Sequence, residues 1–229
     1  MEAPLLVPHV LDVMHIEKNI CDSILGTLLD IEGKTKDTVN ARLDLLDMRI
    51  RPNQHLKEDG NTVRKPKACY VLAKEKMIEF CNFLKSIKFP HGYAANLAKR
   101  ISSDGSKVQG LKTHDCHVLL QRILPAGLWG FVEKKPVLGI CGELYETIAE
   151  LGKFFRELCS RNLRIDVINR LKRDIVLILC KLEKIYPQHS LMLWCTWRST
   201  CLTRYCLQDL FSMDGCTLLS GEWVLSRIQ

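Results

Sequence analysis

The densest group of polar side chains that could do chemistry is His114, Asp115, Cys116 and His117, within the stretch LKTHDCHVLLQRILP. Residues three apart on a helix share a face, so the two imidazoles could bind one metal ion together. Two histidines alone are fewer ligands than a zinc site uses. We therefore favour the alternative, in which Asp115 or Thr113 caps a helix while one histidine packs against the fold.

Asp12 and His15 stand at the start of a strongly amphipathic segment, IEKNICDSILGTLLDI (16–31). An aspartate just ahead of a helix commonly accepts hydrogen bonds from its first backbone N–H groups, so Asp12 is a natural N-cap. A single carboxylate does not hold the two metal ions that phosphodiester chemistry uses. The residue types alone therefore favour a structural role for Asp12.

The chain is mildly basic, with 33 Lys plus Arg against 26 Asp plus Glu and a net charge of +7. Basic side chains are spread along its middle, and the candidates for contacts with a DNA backbone are Lys99, Arg100, Lys112 and Arg122. Phosphate contacts of this kind position a protein on DNA without reading its sequence. A solvated helix surface explains the same pattern equally well.

Apolar spacing predicts a mainly α fold. The predicted helices cover 16–31, 36–48, 70–88, a short stretch after 111, 140–160 and 165–186, with polar loops at 52–67 and 102–110. No strand alternation of any length is present. The content of 47% hydrophobic and 26% charged residues argues against wholesale disorder, and no apolar run is long enough to predict a membrane span.

The chain has 11 cysteines. Its start lacks a basic stretch ahead of an apolar one, so we expect no secretory leader and no disulfide framework. Four cysteines in apolar contexts are predicted to be small core residues: Cys21, Cys81, Cys159 and Cys180.

Three stretches carry a resemblance to a known family. LDVMHIEKNICDSILGTLLDIEGKTKDTVNARLDL (11–45) closely resembles the end of the transposase region of plant CACTA (En/Spm-type) transposons. LKTHDCHVLLQRILP (111–125) and DIVLILCKLEKIYP (174–187) resemble the plant domain of unknown function that follows this region in the same proteins.

The resemblance implies a remnant of the catalytic region over 1–51, a linker over 52–67 and a helical transposon-associated domain over 68–187. It implies a helical fragment of a larger RNase H-like transposase assembly. Asp12 would then be the ancestral second metal-binding acid, with His15 beside it, and the intact ancestor would use Mg²⁺ or Mn²⁺. The family's first catalytic acid is expected in sequence upstream of residue 1.

The character of the chain changes after Pro187. Three of the four tryptophans and four cysteines follow, and no lysine occurs after Lys184. Family members continue with a segment like FFDVMVHLAVHLP, and codons chosen for residues 190–195 give Phe-Asp-Val-Met-Val when read from their third base. We therefore predict that 188–229 is a frameshifted, irregular and poorly packed tail. A zinc site of Cys195, Cys201, Cys206 and Cys216 is the alternative, although these cysteines include no CxxC pair.

The leading hypothesis is a transposon-derived protein without catalytic activity that needs no cofactor itself. One alternative is a subunit of a metal-dependent DNA transposase, and another is a DNA- or protein-binding helical module domesticated from one. The expected partners are transposon-end DNA or intact transposase subunits, with no membrane and no small-molecule substrate. The expected location is the nucleus if the gene is expressed and otherwise the cytoplasm, and secretion is not expected.

Overall fold

The structure is a computed structural model that describes residues 13–186, except 61, 91–95, 104, 106, 133–138 and 161–163. Asp12–Leu193 forms one compact unit, and the second unit, Met1–Leu11 with Trp194–Gln229, lies outside the described residues. The predictions for Asp12, for the four C-terminal cysteines and for the tail 188–229 therefore also lie outside the described residues.

The described part of the chain is mainly α-helical, as predicted. The α-helices are α1 Val13–Leu28, α2 Val39–Asp47, α3 Lys74–Ser86, α4 Thr113–Val118, α5 Leu124–Leu128, α6 Gly142–Leu158 and α7 Ile165–Ile185. Short 3₁₀ turns cover Pro52–Gln54, Leu97–Arg100 and Trp129–Phe131. No described helix has both the length and the apolar character needed to cross a membrane.

The expectation of no strand is wrong for the loop at 52–67. Lys57–Asp59 (β1) and Thr62–Arg64 (β2) pair antiparallel, with Lys57 opposite Arg64. Gly60 has a φ of +61°, a left-handed conformation that glycine adopts without steric cost, and it turns the chain between the strands. Three-residue strands are too short to show an alternating pattern in the sequence.

The longest helix shows why apolar spacing predicted the helices well. Along α7 the buried side chains are Leu171, Ile175, Ile178, Leu182 and Ile185. Their separations of three and four residues place them in one stripe, which faces α6. Burying this stripe stabilises α7, since most of the stability of a helix in a protein comes from the packing of its apolar face.

Arg51, which directly precedes the 3₁₀ turn Pro52–Gln54, contacts the C-terminal end of α7. Its guanidinium donates to the backbone oxygens of Tyr186 (2.7 Å), Glu183 (2.6 Å) and Ile185 (3.2 Å). The last carbonyls of a helix have no partner within the helix, and the negative end of its dipole favours a cation. Arg51 therefore caps α7 across more than 130 residues of sequence.

The helix that begins at Thr113 is longer than the short stretch predicted after 111, because it passes through a π-helical turn, Leu119–Ile123, into α5. Proline lacks the backbone N–H that a regular α-helix would use, and the wider turn accommodates that loss. The prediction for the cysteines is half right. Cys21 and Cys81 are buried, whereas Cys159 follows the end of α6 and Cys180 lies on the outer face of α7, and both are exposed.

Candidate functional site

Glu17 is the most unusual side chain of α1. It is completely buried, although it is charged and lies next to apolar residues that face the core. The helix buries the face that carries Ile16, Ile20 and Ile24, and α1 packs mainly against α4. A buried carboxylate is costly unless hydrogen bonds or a cation compensate it, so its partners are of interest.

Two side chains from the segment 113–123 satisfy Glu17. His117 Nδ1 lies 2.5 Å from Glu17 Oε2, and Gln121 Nε2 donates to Glu17 Oε1 over 2.7 Å. Gln121 Nε2 is also 3.2 Å from His117 Nδ1. One carboxylate oxygen therefore bonds to the amide while the other faces the imidazole. Gln121 follows His117 by one turn, and the π turn places both side chains on the same side of the helix.

Cys159 completes the group from a third element. Its Sγ, a carboxylate oxygen of Glu17 and a ring nitrogen of His117 all lie within 4.8 Å of one another. Desolvation and then the negative charge of Glu17 raise the pKa of the Cys159 thiol to about 11, against a smaller lowering by a hydrogen bond to Gln121. At neutral pH the thiol therefore holds its proton.

The structure places His114 beside His117, and their binding of a metal ion together stays a prediction. His114 is exposed, and its ring stacks on the His117 ring with centroids 6.0 Å apart and an interplanar angle of 21°. The capping alternative is confirmed, because Asp115 Oδ2 accepts a hydrogen bond from the Lys112 backbone N–H over 3.0 Å. His15 is an exposed residue of the first turn of α1.

The spacing of HxxH did not predict that His117 contacts Glu17. His117 bonds to a residue 100 positions earlier, and local spacing carries no information about such a contact. One signal was available for Glu17, which is four residues before Cys21 and seven before Ile24. A charged residue in register with a buried stripe predicts a buried polar contact. No comparable signal marked Gln121 or Cys159.

The four basic residues predicted to contact DNA lie in two places. Lys99 and Arg100 end a 3₁₀ turn, and the Arg100 backbone oxygen accepts from Gln109 N–H just before Lys112. Arg122 instead lines a groove of about 610 Å³, together with Lys153 and Arg156 of α6. The periodicity of one helix did not predict that α6 adds two cations beside Arg122.

A second pair of cysteines has unequal thiols. Cys141 N–H donates to the Cys69 backbone oxygen over 3.1 Å, and the two thiols are hydrogen-bonded. A hydrogen bond from Cys69 lowers the pKa of Cys141 to about 7, against desolvation, with help from the Leu144 backbone N–H. Cys141 immediately precedes α6, where unpaired backbone N–H groups stabilise a thiolate.

We expect Cys141 to react with iodoacetamide at neutral pH about tenfold faster than Cys180, because the thiolate is the nucleophile. The rate at Cys141 should rise with pH through about 7 and level off above it. Cys180 should reach its plateau at higher pH, since desolvation raises the pKa of its thiol. Peptide mapping of the alkylated protein measures both rates. Cys69→Ala removes the donor and should slow Cys141 at pH 7; equal rates in this variant and the wild type would contradict the assignment.

Comparisons with known proteins add no relative. The chain matches no family model, no curated protein and no solved structure. The site geometry and the sequence resemblance are therefore the two grounds on which a function can be argued.

Proposed function

We propose that this protein is a transposase-derived helical module that binds the DNA backbone and does not cut it. The resemblance of 11–45, 111–125 and 174–187 to CACTA-type transposases supports the origin. The groove of Arg122, Lys153 and Arg156 supports the activity. A DNA partner implies the nucleus as the site of action.

The observation that carries the proposal is the charge balance around this groove. All three cations are exposed, and the neighbouring acid Glu150 already pairs with Lys181 Nζ at 2.6 Å and 2.8 Å. Among the described residues, neither Arg122 nor Arg156 forms an ion pair with a carboxylate. Two arginines and a lysine on one open surface match the spaced negative charges of a phosphate backbone.

The second acid beside the groove is neutralised in the same way. Glu157 pairs with Arg170 of α7, and its other oxygen lies 4.0 Å from Lys153 Nζ. Glu150 and Glu157 therefore each pair with a cation of α7, and Arg122 and Arg156 keep their positive charges for a ligand in the groove. Exposed cations of this kind attract polyanions most strongly at low salt.

The use of Glu17 supports binding without cleavage. This acid lies in the segment that resembles the transposase, directly after the DVMHI sequence, and its carboxylate is buried against His117 and Gln121. Two-metal cleavage needs several carboxylates open to metal and substrate. Glu17 is a single carboxylate, and by itself it does not make the set of acids that two-metal cleavage uses.

The binding test is a fluorescence-anisotropy titration of the full chain with a 20-base-pair duplex at several salt concentrations. We expect log K to fall linearly with log salt. The variant Arg122→Ala/Lys153→Ala/Arg156→Ala should weaken binding for every duplex sequence. It should also make the salt slope shallower by about 0.9 for each phosphate that the variant no longer binds.

A matched control removes the same charge elsewhere. Lys57, Lys74 and Lys88 are exposed and lie outside the groove, so their triple alanine variant should retain most of the affinity and the slope. Equal losses in the two triple variants would show attraction by net charge alone and would contradict a groove-based contact. Absence of DNA binding at low salt would also contradict the proposal.

The claim of no cleavage has its own test. Incubation with Mg²⁺ or Mn²⁺ and transposon-end DNA should leave the DNA intact. Cleavage that disappears in Asp12→Ala would instead support the transposase-subunit alternative.

A further inference from the structure

The corner formed by Glu17, His117 and Cys159 brings together three different metal-binding groups. The carboxylate comes from α1, the imidazole from α4, and the thiol from the residue that follows α6. Their candidate ligand atoms lie within 4.8 Å of one another. Three elements that are far apart in sequence therefore converge on one point at the edge of the core.

The burial of the three groups suits a site that an ion can enter. Glu17 is completely buried, the His117 side chain is 24% exposed, and Cys159 is exposed. The carboxylate is thus the most buried of the three groups, and the thiol is the one most open to solvent. An ion arriving from solvent meets the sulfur and the imidazole before the carboxylate.

The ligand chemistry selects among metal ions. Mg²⁺ and Ca²⁺ take oxygen ligands, whereas thiolate and imidazole suit zinc and similar transition metals. Zinc sites with three protein ligands keep their fourth position for water. Zinc bonds of about 2.0–2.3 Å place tetrahedral ligand atoms about 3.5 Å apart. Glu17 Oε2 and His117 Nδ1 are 2.5 Å apart, so these two atoms would separate by about 1 Å to reach that spacing.

Gln121 supplies the outer contact that such a site requires. Its amide holds Glu17 Oε1 over 2.7 Å, which directs Oε2 towards His117. Partners of this kind orient a metal ligand, and their loss commonly weakens metal binding by about 10–100-fold. The hydrogen-bonded form seen here is thus already close to the arrangement that a metal ion needs.

We propose that Glu17, His117 and Cys159 form a zinc-binding site that links α1, α4 and the end of α6. On binding, the Cys159 thiol releases its proton to solvent, and zinc takes the place of the hydrogen bond between His117 and Glu17. The ion keeps water at its fourth position. A ligand that binds only the folded chain stabilises it by mass action, so zinc raises the melting temperature.

The test uses the full chain after removal of metal with a chelator. Zinc is titrated by calorimetry, and cobalt is titrated by visible absorption, where a thiolate ligand produces a charge-transfer band. We expect one ion to bind at this site, a higher melting temperature with zinc, and a cobalt–thiolate band. Cys159→Ser should remove the band and weaken zinc binding by about tenfold or more.

The controls separate this site from the other thiols. Cys180→Ser changes another exposed cysteine and should leave the band and the zinc affinity unchanged. Gln121→Ala should weaken zinc binding while keeping the band, because it removes no ligand. Cys159 and Cys180 are both exposed, so neither serine variant should unfold the protein.

Two results would overturn the proposal. One is a full chain whose melting temperature zinc does not raise and which gives no cobalt–thiolate band. The other is a band that survives in Cys159→Ser and disappears in Cys195→Ser/Cys201→Ser, which would place the metal among the C-terminal cysteines. Neither result depends on DNA binding, so this inference and the proposed function can fail separately.

Discussion

Replacing Arg42 by alanine is expected to lower the free energy of unfolding by about 3 kcal/mol or more, because it leaves a buried carboxylate without its main partner. Arg42 and Asp37 are 0% and 1% exposed. Arg42 Nε donates to Asp37 Oδ1 over 2.5 Å and Nη2 donates to Oδ2 over 2.7 Å. Paired bonds of this fork geometry are among the strongest that side chains make.

The same guanidinium holds two further parts of the chain. Nη1 donates to the Gln54 backbone oxygen over 2.8 Å, and Nη2 donates to the Pro66 backbone oxygen over 3.3 Å. Arg42 therefore fixes both ends of the 52–67 segment to α2. Lys65 Nζ lies 3.6 Å from Asp37 Oδ2 and remains as a second, partly exposed cation. Its presence places the expected loss towards the lower end of the usual range of about 3–5 kcal/mol.

Urea unfolding at pH 7 measures this effect. Asp37→Ala should cost a similar amount, since it leaves the arginine buried and unpaired. The double variant Arg42→Met/Asp37→Leu should cost much less than the sum of the single changes, because it leaves no buried charge. Arg173→Ala, at an exposed position of α7, is the control and should change the free energy of unfolding by about 0.5 kcal/mol or less. An unfolding midpoint for Arg42→Ala close to that of the control would contradict the assigned role.

Replacing Gly152 by alanine is expected to lower the free energy of unfolding by about 2 kcal/mol, through overpacking. A Cβ atom at Gly152 would lie 2.6 Å from the Leu120 backbone oxygen and 3.2 Å from Pro125 Cγ. The first obstacle is backbone, which does not rotate away as a side chain does. Alanine is favoured over glycine inside a helix by about 1 kcal/mol, and this gain offsets only part of the strain.

The same substitution also bears on the candidate zinc site. Leu120 precedes Gln121 on the π turn, so a shift of the Leu120 carbonyl moves the amide that holds Glu17. Gly152→Ala should therefore weaken zinc binding as well as stability. Gly130→Ala is the matched control, because a Cβ there meets nothing within 4 Å. Thermal unfolding of both variants measures the loss of stability, and we expect a lower melting temperature for Gly152→Ala. Equal melting temperatures would show that the α6 backbone shifts to accommodate the added methyl group.

The helices could be predicted from the sequence because helix formation depends on neighbours three and four residues apart. The helices predicted at 140–160 and 165–186 are observed at Gly142–Leu158 and Ile165–Ile185. The observed bounds of α1 differ from the predicted ones by three residues at each end. The hairpin at 57–64 was not predicted, because its strands are too short to show the alternation of apolar and polar residues that indicates a strand. Transposon origin and DNA binding remain proposals, since one depends on sequence resemblance and the other on the charge of an exposed surface.

The sequence by itself determined the helical class, the position of most helices and the apolar stripe of α7, because these properties follow from local spacing. Only the tertiary structure decided that His117 faces Glu17, that Cys159 joins them, and that Arg42 and Arg51 tie distant segments together. Those contacts join residues up to 135 positions apart. Their energy depends on burial and mutual distance in the folded chain, and local sequence spacing contains neither quantity.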